Sequence, residues 1–320
     1  MNLRKRVAVQ ITPTAPFNFD ATAYKPSHFP SSDNSWTKGT YWFTLNFQNR
    51  IYGIRLENRG EIETPRVLLT IYCDRPIEGD KIAEIIREVK WRFDMEADIS
   101  GFYDTLRSDR LLEPILHRWK GMRVSCQYSL YELIIITIVL QNATVRRSVQ
   151  MTEALLRRYG TSVRFDQKEL NAFWRPDSLT GTSEDDLREL KVGYRAKSIK
   201  RISDAFARLC IDESKLRPLP TTEAKSELMK LYGIGPASVG ILLFEALHRY
   251  DAFDHISPWE QKIYSHLLFN SDLVSPSQIL EEVDRRWGSW KMLAAHYIFE
   301  DLFWRNKNRK VQWLEGLIKL

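Results

Sequence analysis

The sequence predicts an α+β N-terminal domain, an antiparallel sheet plus a helix, followed by an all-α domain. Two observations carry this. Over residues 1–75 the apolar residues fall in short β-branched and aromatic runs separated by Asn- and Gly-type breaks. From about residue 110 they recur instead with the period of a helix, almost to the end of the 320 residues. The expected domains are residues 1–112 and 113–320.

In order along the chain, Thr40–Phe47, Ile51–Leu56 and Arg66–Tyr72 read as strands of an antiparallel meander. Residues 81–93 switch to helical spacing, with Ile82, Ile85, Ile86, Val89 and Phe93 on one stripe. Tyr128–Leu140 is apolar nearly all round, the pattern of a central buried helix. Amphipathic segments follow near 145–159, 184–190, 195–210, 222–231, 237–249, 259–268, 276–286 and 290–304. Breaks fall at Gly160, Pro176–Gly181, Pro218–Pro220 and Asn270–Pro276, and there is no internal repeat.

Lysine and arginine outnumber the acids 47 to 41, a formal charge of +6 that suits a polyanionic partner without requiring one. The three cysteines lie far apart and form no CxxC pair, which excludes a four-cysteine zinc or iron–sulfur centre. They read as small buried hydrophobes in a reducing compartment. The N-terminus MNLRKRVAVQITPT has no apolar h-region, and the longest apolar run, Leu133–Leu140, is too short to span a bilayer. The expectation is an intracellular protein without a targeting segment or membrane partner, nuclear in a eukaryote and cytoplasmic beside the nucleoid in a prokaryote.

The most informative stretch is 227–240, ELMKLYGIGPASVG, where one apolar helix end runs into a two-glycine turn and a second helix begins at once. Gly233 and Gly235 permit backbone angles closed to other residues, and Pro236 suits a first helical position. Free amides at such a helix start meet the positive dipole end and can seat a phosphate. The plain structural alternative is an αα-corner with glycines at a helix C-terminus.

The surroundings of this hairpin resemble the helix-hairpin-helix (HhH-GPD) DNA glycosylase superfamily, closest to its 3-methyladenine type II and 8-oxoguanine branches. Residues 91–102, WRFDMEADISGF, look like the segment closing the family's N-terminal β domain. Residues 129–145, SLYELIIITIVLQNATV, resemble its core helix and the loop that enters DNA. Residues 193–200, GYRAKSIK, and 290–299, WKMLAAHYIF, are similar to two further helices of the family. Four blocks in order, over about residues 17–304, are more specific than the hairpin alone. The resemblance implies a helical glycosylase core that binds damaged double-stranded DNA as a monomer, flips a base and hydrolyses its N-glycosidic bond in base excision repair.

It also implies residue roles. Gln141 and Asn142 fall where the family's probe fills the gap left by the flipped base, their bland alternative being a helix C-cap. The hairpin amides near Gly233, Gly235 and Ala237 are expected to hold a phosphate, Lys197 and Lys200 on the preceding helix add contacts or else form a solvated face, and Phe299 matches a base-pocket aromatic of the family. Family members often hold a monovalent cation on the hairpin carbonyls; no other metal or cofactor is expected. Ala237 stands where bifunctional members carry a Schiff-base lysine, so lyase chemistry by that route is not expected.

The family's catalytic aspartate stabilises an oxocarbenium-like sugar, and its position falls on Ser257. Ser257-Pro-Trp-Glu260 is a capping box, so serine keeps the capping job and brings no charge. Asp254 and Glu260 are the candidate substitute carboxylates. The expected function is a monofunctional glycosylase for alkylated or otherwise damaged bases. The alternative is a catalytically inactive DNA-binding protein that senses lesions.

Overall fold

The structure, a computed structural model, describes residues 1–28 and 31–314. Its N-terminal part is a five-stranded sheet. The elements are β1 (Lys5–Ile11), a short helix α1 (Phe19–Ala23), β2 (Asn34–Thr37), β3 (Thr40–Phe47), β4 (Arg50–Asn58) and β5 (Val67–Cys73), in the antiparallel order β1-β5-β4-β3-β2. The meander read from the sequence is its centre. Tyr41, Leu56 and Leu69 form one cross-strand row and Phe43, Ile54 and Ile71 the next, all at most 1% exposed. Gln48 and Asn49, both at positive φ, make the tight β3–β4 turn.

The two edge strands escape the sequence pattern because β1 is mostly exposed and β2 has four residues. The helix α2 (Gly79–Arg92) lays Ile85, Val89 and the following Phe93 on the sheet core, while Ile82 and Ile86 stay at its margin.

Helices α3 (Ser100–Leu106) and α4 (Glu113–Arg118) lead into the buried helix α5 (Leu130–Leu140), started by a Ser129–Glu132 capping box. The other Glu132 oxygen accepts from Asn46 Nδ2 of β3 at 2.8 Å, which ties the helix start to the sheet. After α6 (Val145–Tyr159) comes a departure from the all-α expectation, a hairpin of β6 (Thr161–Phe165) and β7 (Lys168–Ala172). Its strands alternate polar and apolar residues around an Asp166–Gln167 turn without glycine. It packs on the outer face of the first sheet with Leu3 and Tyr72. A Cβ on Gly53 would lie 2.5 Å from the Phe165 ring, so glycine permits that approach.

The remaining helices are α7 (Glu184–Glu189), α8 (Arg195–Ala207), α9 (Glu213–Leu216), α10 (Thr221–Met229), α11 (Pro236–Glu245), α12 (Pro258–Phe269), α13 (Pro276–Trp287) and α14 (Lys291–Asn308). They form two cores. One gathers α5, α6, α8, α10 and α11. The other gathers α12–α14 with α3 and α4, so residues 99–116 pack with the C-terminal helices.

Cys73 and Cys126 are buried as expected, whereas Cys210 is exposed in the loop after α8. Among the described residues no helix is long and apolar enough to cross a membrane, and no cluster of His, Cys, Asp and Glu could hold a metal ion.

Candidate nucleic-acid interface

The diglycine turn joins α10 to α11, and its two glycines do different work. Gly233 has φ +82°, and a Cβ there would lie 2.5 Å from Ser198 Oγ on α8. It must be glycine for both reasons. Gly235 departs from the expectation of a glycine-only conformation: its φ of −108° and ψ of 179° are open to any residue. A Cβ on it would meet nothing within 4 Å, so this glycine leaves the helix start bare. Buried Ile234 anchors the turn, and Pro236 opens α11. The first helical bond runs from Val239 N to Gly235 O at 2.9 Å, leaving the amides of Ala237 and Ser238 unused, as at any helix start.

The rim of this turn is cationic. Tyr232, 41% exposed, has the Arg201 guanidinium over its ring at 4.2 Å and the Lys197 ammonium at 5.4 Å. Lys197 is exposed. Lys200, one turn on, is paired with Asp204 at 2.5 Å and donates to Thr180 O.

The loop after α5 is tied to this turn. Gln141 Nε2 donates to Gly233 O at 2.8 Å and lies 3.4 Å from Ser238 Oγ. Gln141 is the C-cap of α5, and its carbonyl accepts from the Arg195 guanidinium and from Tyr194 Oη. Asn142, exposed at φ 48°, donates to Tyr194 Oη at 3.3 Å. The structure thus brings Gln141, Asn142, Gly233 and Lys197 onto one face. It adds Tyr194, 59% exposed, with the Arg195 guanidinium 4.6 Å over its ring. Sequence reasoning assigned Tyr194 no role; an exposed aromatic in the glycine-led start of a basic helix was the available signal.

Behind the loop lies a cavity of about 220 Å³. Val139 and Leu140, the two residues before Gln141, form part of its wall together with Ile136, Tyr41, Phe93 and Tyr128. Its polar residues include Lys25, His28, Gln127 and Glu245. Burial holds His28 neutral, its pKa lowered to about 4, and its Nε2 meets Asn34 Oδ1 at 3.2 Å. Burial pushes the Glu245 carboxyl up, against the pull of Lys25, with Glu300 adding repulsion. Burial likewise raises the Cys126 thiol and keeps it inert.

None of Asp254, Ser257, Glu260 and Phe299 lines this cavity. Glu260 is committed to the cap of α12: its Oε2 accepts from Ser257 N at 2.8 Å and from Ser257 Oγ at 2.5 Å. Asp254 is exposed and paired with Lys225 of α10. Phe299 is partly buried, with ring centroids 5.4 Å from Trp259 and 5.7 Å from Tyr264. Ala237 is exposed at the start of α11 and offers no amine.

No protein-family model matches the chain. A probable N-glycosylase/DNA lyase of Methanothermobacter thermautotrophicus is 25% identical over 231 residues, 66% of this chain and 73% of the relative. The DNA-3-methyladenine glycosylase of Bacillus subtilis is 23% identical over 233 residues, 72% and 76% of the two chains. Among solved structures, the 3-methyladenine DNA-glycosylase of Archaeoglobus fulgidus superposes with a TM-score of 0.77 at 17% identity, covering 95% of this chain and all of that one (100%). The 8-oxoguanine glycosylase/lyase of Clostridium acetobutylicum in complex with double-stranded DNA gives 0.70 at 19% identity, covering 96% and 99%. One relative is named as an N-glycosylase/DNA lyase and the other as a DNA-3-methyladenine glycosylase, and the chain carries the fold of the 3-methyladenine and 8-oxoguanine glycosylase structures.

Proposed function

We propose that this chain is a monofunctional DNA glycosylase that binds damaged duplex DNA, extrudes a base and hydrolyses its N-glycosidic bond. The observation that carries the reading is contiguity. A bare helix start, a loop bonded to it by Gln141, and a partly apolar cavity walled by the two residues before that glutamine adjoin one another along the chain. The amides near Gly235 and Ala237 seat a phosphate, with Lys197 and Arg201 adding charge. Gln141 and Asn142 enter the duplex beside the Tyr194 ring, and the cavity takes the extruded base. Ala237 supplies no nucleophilic amine, so the DNA strand is left uncut.

The sugar cation needs a negative charge or an easily lost base. Of the two candidate carboxylates Asp254 is the freer, because it is itself exposed and its partner is a partly exposed lysine, while Glu260 is held in the cap. No resident cofactor enters the reaction. A monovalent cation on the hairpin would share the Gly233 carbonyl with the Gln141 amide.

Ser257 favours a second reading, a lesion sensor that binds without cutting, since it caps α12 without bringing charge. Incubation with alkylated duplex DNA separates the two. The glycosylase releases free base and leaves alkali-labile abasic sites without incising the strand. The sensor retains the lesion duplex and releases nothing.

A further inference from the structure

The cavity contains a carboxylate without a hydrogen-bond partner. Glu245, the last residue of α11, lines it, and among the described residues nothing donates to its side chain. Gln127 is occupied on both ends of its amide, by Tyr41 and by Asp33, and His28 is held by Asn34. Glu245 keeps accessible surface, and the cavity it lines is where that surface can face. A half-buried carboxylate without a protein donor is open to a ligand that brings N–H groups.

A second charge belongs to the same wall. Lys25 donates to Ser125 O at 3.1 Å, which uses one of its three N–H bonds. It attracts Glu245 electrostatically, but the two form no salt bridge. An acceptor and a donor held apart in this way can take a ligand edge between them.

Resting on the glycosylase reading above, we propose that Glu245 and Lys25 read the extruded base, and that the base is guanine-derived. A guanine edge presents two N–H donors beside a carbonyl. Glu245 accepts from N1–H and the 2-amino group, and Lys25 donates to O6. Adenine-derived bases present a ring acceptor and a single amino group on that edge, which leaves the carboxylate short of a donor. The rings of Tyr41, Phe93 and Tyr128 and the side chains of Ile136, Val139 and Leu140 supply apolar walls for a planar heterocycle. The volume is below the roughly 300–1,000 Å³ of sites for drug-sized ligands, the scale of one bicyclic base. Glu245 lies eight residues beyond Ala237 on one helix, about 12 Å along its axis. That distance places it at the base edge rather than beside the phosphate.

The test uses the full chain and duplexes that cannot be cleaved. Each carries a 2′-fluoro-stabilised lesion nucleotide: 7-methylguanine, 8-oxoguanine or an alkylated adenine, with an abasic-site analogue as reference. The expected result is tighter binding of both guanine-derived duplexes than of the adenine one. Glu245→Gln erases that preference by about 10- to 100-fold, the worth of one bidentate base contact, while abasic-duplex affinity stays put and the unfolding midpoint does not fall. Lys25→Met weakens the guanine-derived duplexes in the same direction.

Equal affinity for both base classes in the unaltered protein, or a preference that survives Glu245→Gln, overturns this inference and leaves the glycosylase reading standing. Failure to bind even the abasic duplex overturns both.

Discussion

Replacing each hairpin glycine by alanine separates folding from DNA binding, because the two positions are constrained by different things. At Gly233 an alanine must adopt φ +82°, which costs a non-glycine residue roughly 1–2 kcal/mol. Its Cβ also falls 2.5 Å from Ser198 Oγ and 3.0 Å from Ser198 Cβ. Ser198 is buried in α8, so its Cβ moves only with the helix, and overpacking of this kind adds about 1 kcal/mol or more. Together the cost is about 2–3 kcal/mol, a fall in Tm of roughly 3–5 °C for a chain of this size. Ser198→Ala in the same chain removes the closer of the two atoms and returns part of the loss, a coupling that a double-mutant cycle measures.

At Gly235 the arithmetic reverses. The backbone is extended and nothing lies within 4 Å of the new methyl, so alanine costs the fold nothing and stiffens the unfolded chain. The methyl instead stands over the bare helix start, where the phosphate approaches. Loss of a hydrogen bond to a charged group weakens binding by about tenfold or more. Urea unfolding and fluorescence anisotropy with an abasic duplex, on both variants, read the two effects independently. Gly235→Ala unfolding as easily as Gly233→Ala, or binding DNA like the unaltered protein, refutes the reasoning.

Other outcomes follow from the same structure. Asp254→Asn abolishes base release and leaves the unfolding midpoint unmoved, since Asp254 is exposed and its salt bridge is with Lys225; full release by that variant removes it from the reaction. Glu260→Gln lowers stability by about 1 kcal/mol through the cap of α12, seen as a shift in urea midpoint. Lys197→Ala reduces the slope of log affinity against log salt by about 0.9 for a duplex, the signature of one phosphate contact, and an unchanged slope excludes that contact.

Buried Asp94, whose pKa is raised to about 7 by desolvation, accepts from Tyr250 Oη and faces His248. A carboxyl raised in this way binds its proton on folding. Its contribution is fully present below 3.8, the ordinary value of an aspartate, and is lost as pH climbs through about 7. Asp94→Asn, tolerated at φ 49°, is therefore more stable than the unaltered protein at pH 8, by up to about 4 kcal/mol. The gap narrows as pH falls and closes at about pH 4 in denaturation curves, and a pH-independent gap refutes the assignment.

Much of this architecture was legible in the chain because it depends on neighbours in sequence. The cross-strand rows of β3–β5 follow from alternation, the α2 stripe from helical spacing, and the Ser129 and Ser257 caps from a serine three residues before a glutamate. The hairpin turn was legible too, and so was its partner loop, because a helix as apolar as α5 must end somewhere near Gln141. What could not be read depends on distant segments meeting. The β6–β7 hairpin has a clear period of two, but its strands bury one face only because Gly53 lets Phe165 settle on the sheet. Glu245 is the sharper case. At the end of PASVGILLFE a lone glutamate reads as the solvent-facing terminus of an apolar helix. It becomes a cavity carboxylate because the segment around Lys25 and His28 folds across from the sheet domain and closes the space in front of α5. Three stretches separated by about a hundred residues each supply that wall, and no local pattern records their meeting. The proposed phosphate seat is a property of one turn, whereas the proposed base-reading surface is a property of the domain contact. The first therefore travels with sequence resemblance, and the second has to be seen in the fold.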